Sequence, residues 1–300
     1  MLALCQGPPR DTSLPAPVRQ ECLAVLQKVA SAGDFWVQVH AVEYLLELGH
    51  TKEARLAART LEPYSSEPQK RIGIWRIKSR LPGAHRQAWL DSIASAYMNK
   101  QGSDRIHAAE SLAKLQYCFL RCDPDVVAAD LTSPGLLQAF VNWGAANPCS
   151  HQGPPAFDRL LDKLQGSTVD KKIAAYALSF FPRLPAGKWE LLAERALAEP
   201  SSSEAYPYLL EAAVQHCPVR YVNRDPRARR LKLLLLSLER SDNRDARVQL
   251  CRALAFGASA TDRQVLQRLL RLKDPLTGVP VSYNEDVQAA AAFALLQLAK

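Results

Sequence analysis

The sequence predicts an all-α protein, an α-solenoid of about eight antiparallel helix pairs. Three observations predict it. Alanine and leucine are abundant while glycine is sparse, at 13 of 300 residues, and Ala and Leu lose least on entering a helix. Apolar residues recur at helical spacing in segment after segment, and no stretch alternates convincingly as a strand would. The segments pair, and the second helix of each pair returns after roughly 30 to 41 residues, the step of a helical repeat array.

The helical segments fall near 17–31, 35–49, 51–61, 66–81, 84–99, 103–119, 123–131, 134–147, 154–165, 168–181, 186–198, 202–216, 226–240, 243–256, 260–272 and 284–299. Each is bounded by residues with a physical reason to start or stop a helix. Segment 35–49 stops at Gly49, and 66–81 stops at Pro82-Gly83. Segment 103–119 opens at Ser103, a side chain able to take up free N–H groups. Segment 168–181 opens at Asp170 and stops before Pro182. Segment 186–198 stops before Pro200. Segment 202–216 opens at Ser203, carries Pro207 of YPY (206–208) in its first turn, where proline is allowed, and ends at His216-Cys217-Pro218. Segment 243–256 opens at Asp242 and stops at Gly257. Residues 276–283 (LTGVPVSY) read as a long loop before the last helix. The 20 prolines mostly sit between helices.

The repeat is visible in the letters. VQVHAVEYLLEL (37–48) overlays SDRIHAAESLAKL (103–115), so that His40 meets His107, Ala41 meets Ala108, Glu43 meets Glu110, Leu45 meets Leu112 and Leu48 meets Leu115. DARVQLCRALAFG (245–257) and EDVQAAAAFALLQLA (285–299) share a polar opening, a Val, a run of small residues and then Ala-Leu. The pattern resembles HEAT-repeat proteins over nearly the whole chain, clearest at 35–49, 103–116, 243–256 and 284–299. The resemblance implies a right-handed, curved stack of antiparallel pairs with the second helices lining a concave face. It implies no chemistry.

A helix turns by about 100° per residue. On that wheel Trp36, His40, Glu43 and Glu47 form one narrow stripe of helix 35–49. Ala41, Val42, Leu45 and Leu48 lie opposite, and both flanks are apolar. A helix buried on three sides with one polar seam suits a solenoid interior. Helix 103–116 repeats the wheel, with Ser103, His107, Glu110 and Lys114 as its seam. In a register of about 33 residues the helix between them presents Gln69, Gly73, Arg76 and Arg80. The surface would then read acid, base, acid. One residue later, Lys70, Ile74, Ile77 and Leu81 take the seam and the ladder vanishes. The C-terminal seams read Asp245, Gln249, Arg252 and Phe256, then Asp286, Ala290, Phe293 and Gln297, without a His/Glu pair.

Two readings of the seam follow. In one it is a structural ladder, with His/Glu pairs bridged by arginines that fix register. In the other it is a ligand groove, with Trp36, His40, Glu43, Trp75, Arg76, Arg80, His107 and Glu110 as binding residues, a polar floor with aromatic walls. Metal and cofactor are not expected. Packed helices lie about 8–10 Å apart, so His40 and His107, two repeats apart, would be separated by roughly 16–20 Å, and ligands of one ion sit about 2 Å from it.

Net charge is +8 and the pI about 9.2. The basic residues cluster at Lys70, Arg71, Arg76, Lys78, Arg80 and Arg86, and again at Arg220, Arg224, Arg227, Arg229, Arg230 and Lys232. Glu43, Glu47 and Glu110 on the seam speak against a nucleic-acid groove, which should be uniformly positive. No Gly-rich phosphate loop, nucleophile elbow or HExxH occurs. The seven cysteines have no regular spacing and read as reduced, buried thiols. No run approaches a membrane span. Leu2-Ala3-Leu4-Cys5 is similar to the end of a bacterial lipoprotein signal, but Leu4 is larger than that signal asks. A cytoplasmic location is favoured, with an exported or lipid-anchored form if a leader was trimmed.

The expectation is therefore a flexible segment over 1–16 and a HEAT-like domain over 17–300, with a sub-division near 147–155. Its function is read as non-catalytic recognition by a monomer: a scaffold gripping a protein or peptide segment, or a small polar or anionic ligand, on its concave face. The alternative is an enzyme acting on a sugar or phosphorylated molecule with His40, Glu43, His107 or Glu110 as acid/base groups. A nucleic-acid-binding helical repeat is the lesser alternative.

Overall fold

A computed structural model describes residues 14–83, 85–146, 153–182, 184–185, 187–222, 224–257, 259–273 and 280–300. The described residues form α-helices and short 3-10 turns, with no strand among them. In chain order the helices are α1 (Ala16–Ala32), α2 (Phe35–Leu48), α3 (Thr51–Ala58), α4 (Pro68–Arg80), α5 (Arg86–Met98), α6 (Arg105–Lys114), α7 (Pro124–Thr132), α8 (Leu136–Ala145) and α9 (Gly153–Asp162). They continue as α10 (Thr168–Ser179), α11 (Lys188–Ala198), α12 (Tyr206–Gln215), α13 (Val219–Val222), α14 (Pro226–Ser237), α15 (Arg244–Leu254), α16 (Ala260–Leu270) and α17 (Val281–Gln297). Each segment read from apolar spacing carries a helix, and the single turn α13 is additional.

Several boundaries differ from the sequence reading, each for a local reason. Helix α3 stops at Ala58, and the chain tightens into a 3-10 turn over Arg59–Tyr64 that contains Pro63, whose missing N–H could not continue an α-helix. Helix α6 stops at Lys114 because Gln116 turns left-handed, with φ 53°, and Tyr117 N–H closes back on the Leu112 carbonyl. Three expected caps shift. Ser167, not Asp170, caps α10, and Asp170 completes a capping box with it. Asn243, not Asp242, caps α15. Asp104, not Ser103, precedes α6, and its carboxylate is turned instead to Arg71. The fourth, Ser203, stands two residues before Ala205, the N-cap residue of α12, and its hydroxyl accepts the Ala205 N–H. The loop expected over 276–283 is helical from Val281, since Pro280 is placed to begin α17; residues 276–279 lie outside the described residues.

Two glycines are required by geometry. Gly49 ends α2 at φ 88°, where it and His50 return hydrogen bonds to the Leu46 and Leu45 carbonyls, the arrangement that satisfies a helix's last carbonyls. Gly144 lies inside α8, and a Cβ there would collide with the Phe119 ring.

The chain divides into two compact units, Met1–Glu53 with Phe181–Lys300, and Ala54–Phe180. The first is discontinuous in sequence. In it α12 packs on α15, α15 on α17, and α17 on α2, while α1 and α16 also cover α17. Helix α17 is therefore enclosed, and Ala289, Ala290, Ala291 and Ala292 are all buried. Small side chains allow this close approach from several sides, and a helix that is apolar nearly all round belongs in a core. Tyr44 of α2 stacks on Phe293 of α17, centroids 4.6 Å apart, and Arg271 makes a two-pronged pair with Glu21 of α1. Leu14, just before α1, is buried, while residues 1–13, including Leu2–Cys5, lie outside the described residues.

In the second unit α4 packs on α5 and α6, α6 on α8, and α8 on α7, α9 and α10. Trp143 and Tyr97 are its largest fully enclosed side chains. The sub-division expected near 147–155 falls mostly outside the described residues, and α8 and α9, on either side of it, pack within one unit. Cys22, Cys122 and Cys251 are buried free thiols, and Cys118 and Cys217 are half-buried and free; Cys5 and Cys149 lie outside the described residues. Among the described residues no helix is long and apolar enough to cross a membrane.

Candidate functional site

Several polar residues of the expected seams are cross-linked between neighbouring helices, while the stripe read on α17 is a correction to the sequence reading, since Asp286, Ala290 and Phe293 are all buried in the core that encloses that helix. In the first unit the series runs over α12, α15, α17 and α2. Tyr208 of α12 donates its hydroxyl to Asp245 of α15 at 2.8 Å. Three residues on, Glu211 of α12 receives Arg252 of α15 at 2.8 Å. Arg244, at the start of α15, approaches Asp286 of α17 at 3.7 Å. Asp286 also pairs with His40 Nδ1 of α2 at 3.3 Å. The spacing explains the series. Residues 208, 211 and 215 stand at i, i+3 and i+7, the same interval as 40, 43 and 47, so each helix presents one stripe along its axis.

Burial grades along this series. The His40 side chain is 40% exposed and Asp286 only 6%. Asp286 thus sits at the bottom and His40 at the rim. Burial opposes ionisation of Asp286, but His40, Arg244 and Arg252 more than offset it and hold its carboxyl below the usual range. Glu211 is fully buried. Burial pushes its carboxyl up to about 7, and Arg252 only partly restores the charged form. Its second carboxylate oxygen has no hydrogen-bond partner among the described residues.

The second unit carries its own seam over α4, α6 and α10. Arg76 of α4 is 4% exposed and donates to the Ser111 hydroxyl of α6 at 2.9 Å. Glu110 of α6 pairs with Lys114 at 2.9 Å and accepts the Tyr176 hydroxyl of α10 at 2.7 Å. The Lys114 ammonium also lies over the Tyr176 and Phe180 rings. Burial opposes the Glu110 charge, but Lys114, Arg76 and Tyr176 outweigh it and hold its carboxyl at about 2. His107 is driven down, first by burial and also by Arg76 and Lys114. Arg76 lies beside Ser111 and acts on Glu110, but burial does not separate the two registers, since Gly73 and Arg76 of the one and Ile74 and Ile77 of the other are all buried.

The sequence-derived residues divide between the units. Trp36, His40 and Glu43 belong to the first; Trp75, Arg76, Arg80, His107 and Glu110 belong to the second. Trp36, His40, Glu43, His107 and Glu110 are half-buried. Trp36 packs edge-on against Phe35, and Trp75 lies under the Arg71 guanidinium. Arg80 is exposed, whereas Arg76 is buried. His40 pairs with Asp286, on the seam read from sequence but in the last helix. Tyr208 and Glu211 were missed, because segment 202–216 does not carry the letter pattern seen at 35–49 and 103–116; their i, i+3 spacing could have found them.

Chemically, this arrangement offers anchored charges of both signs on rigid helices. The carboxylates Asp286 and Glu110 are ionised and bound, and so are poor proton acceptors near neutral pH. Among the described residues no three His, Cys, Asp or Glu are arranged to hold a metal ion. No family model, curated protein or solved structure matches this chain.

Proposed function

We propose that each unit is a stack of HEAT-like helix pairs, and that the protein is a non-catalytic recognition scaffold. Its partner is an extended protein segment laid along the rim of the seam of α12, α15, α17 and α2, where Trp36, His40, Glu43 and Arg244 reach solvent above buried Asp286 and Glu211. The observation that carries this reading is the cross-bracing of that seam: Tyr208 to Asp245, Arg252 to Glu211, and Asp286 to both Arg244 and His40. A surface held by such links loses little freedom on binding. Four helices at about 8–10 Å spacing make a row of roughly 24–30 Å, which an extended segment of about eight residues spans at about 3.3 Å each. Trp36 supplies an aromatic anchor at one end, and Arg244 with Glu43 supplies both signs of charge. The enzyme reading is less well supported, because Glu110, one of its candidate acids, is ionised and tied to Lys114, and Glu211, whose carboxyl lies at about 7, is fully buried.

A random peptide library displayed on phage tests the reading. Selected peptides should bind the wild type and lose most of their affinity for a Trp36→Ala/Glu43→Ala variant of unchanged melting temperature. Peptides that bind both equally, or a library that yields none, would overturn it.

A further inference from the structure

A second feature of the molecule has no part in the seams. Between the end of α3 with its following 3-10 turn and the α4–α5 turn lies a cleft of about 270 Å³. Arg55 and Arg59 enter it from one side, four residues apart and so on one helical face. Arg86 and Trp89 enter from α5, three residues apart, with His85 beside them. Lys78 forms the wall between.

The charges of this cleft do not cancel. Of its lining residues only Glu62 is acidic, and Glu62 is already paired with Lys78 at 2.8 Å. Lys78 in turn rests on the Trp89 ring, 4.6 Å from its centroid. The Lys78–Glu62–Trp89 group is thus an internally neutral wall. Arg55 spends one nitrogen on the Pro82 carbonyl at 2.8 Å, which pins the turn to α3 and keeps its charge in the cleft. Gly83 in that turn adopts φ 155°, which a residue with a Cβ rarely takes. Arg59 and Arg86 are exposed and make no ion pair with a described residue. Three guanidinium charges therefore line one pinned concavity with no carboxylate left to balance them.

We propose that this cleft binds a phosphoryl or pyrophosphoryl group, free or at the end of a small molecule, with Arg59 and Arg86 as its principal ligands and Arg55 as a fixed third charge. Guanidinium matches phosphate oxygens with paired N–H donors, which neither lysine nor imidazole can do. The volume exceeds that of a bare phosphate and leaves room for a second phosphoryl group or a small organic residue. Carboxylates could meet one guanidinium, but the lining gathers three, which favours a multiply charged anion.

Calorimetric titration with inorganic pyrophosphate at low ionic strength tests this, because salt screens exposed charges. The wild type should bind with one-to-one stoichiometry. Arg59→Ala/Arg86→Ala should weaken binding by about a hundredfold, near tenfold for each charge-assisted contact. Arg229→Ala/Arg230→Ala, which removes the same charge from exposed positions on α14, should leave the affinity unchanged. Competition by glucose 6-phosphate but not glucose would assign the site to organic phosphates; competition by neither would assign it to the inorganic ion. No saturable binding by the wild type, or equal weakening in both double variants, would overturn the proposal. Circular dichroism of both variants shows that the fold is intact.

Discussion

The Asp286 carboxylate of α17 pairs with His40 Nδ1 of α2 at 3.3 Å, across 246 positions of sequence. With Tyr44 stacked on Phe293, it joins the first helices of the chain to the last. The polar seam of α2 is completed by a helix that no local reading would place beside it.

Asp286→Asn should therefore destabilise the first unit by about 1–3 kcal/mol at neutral pH, because it removes a buried charge that Arg244 and Arg252 face. The pH dependence follows from the lowered carboxyl of Asp286. A depressed folded-state value adds stability above the ordinary carboxylate range, and that stability is lost as pH falls through the folded value. Melting curves from pH 7 to pH 3 should show the wild type losing stability on acidification more steeply than the variant. Parallel curves would show that the pair contributes nothing.

Glu211 carries the opposite sign. Its carboxyl is pushed up to about 7, so the folded state holds a proton that the unfolded state has released. Stability then falls as pH rises from the ordinary carboxylate value towards about 7. Glu211→Gln keeps an oxygen for Arg252 and removes the titration. Its melting temperature should match the wild type at pH 5 and exceed it at pH 8. A variant less stable than the wild type at pH 8 would mean that the charged pair outweighs the burial.

In the second unit, Glu110→Gln should cost on the order of 2 kcal/mol at pH 7, since Lys114 and Arg76 lose the anion that faces them. Glu110, held at about 2, contributes stability that is lost as pH falls from the ordinary carboxylate range to about 2. The difference between variant and wild type should shrink across that window. Denaturant unfolding at pH 7 and pH 3 measures it.

Gly144→Ala should be destabilising by about 1–3 kcal/mol, although alanine is the better helix former by about 1 kcal/mol. The added methyl would meet the Phe119 ring. Combining it with Phe119→Leu should recover part of the loss. Additive losses in the double variant would place the strain elsewhere.

Much of the architecture is legible in single segments. The helices of this chain are marked by apolar spacing, and their ends by Gly49, Pro182, Pro200 and Pro218. The wheel of 35–49 separates His40, Glu43 and Glu47 from buried Ala41, Val42 and Leu45, as the structure does. These features repeat every three to four residues, so they are encoded within one helix and need no partner to be read. Cap positions were less legible, because Ser167 and Asp170, or Asn243 and Asp242, are all chemically able to cap. The choice is made by the backbone angle at which the chain enters the helix.

The tertiary structure alone decided which seam meets which. Nothing in the letters around His40 specifies Asp286, and nothing around Glu110 specifies Tyr176, because those partners are set by how whole helices pack. It also decided that the first unit joins both ends of the chain, and that Arg55, Arg59 and Arg86 share a cleft. A seam's existence is a property of one helix's periodicity; its partners are a property of burial, which is settled by surfaces far apart in sequence.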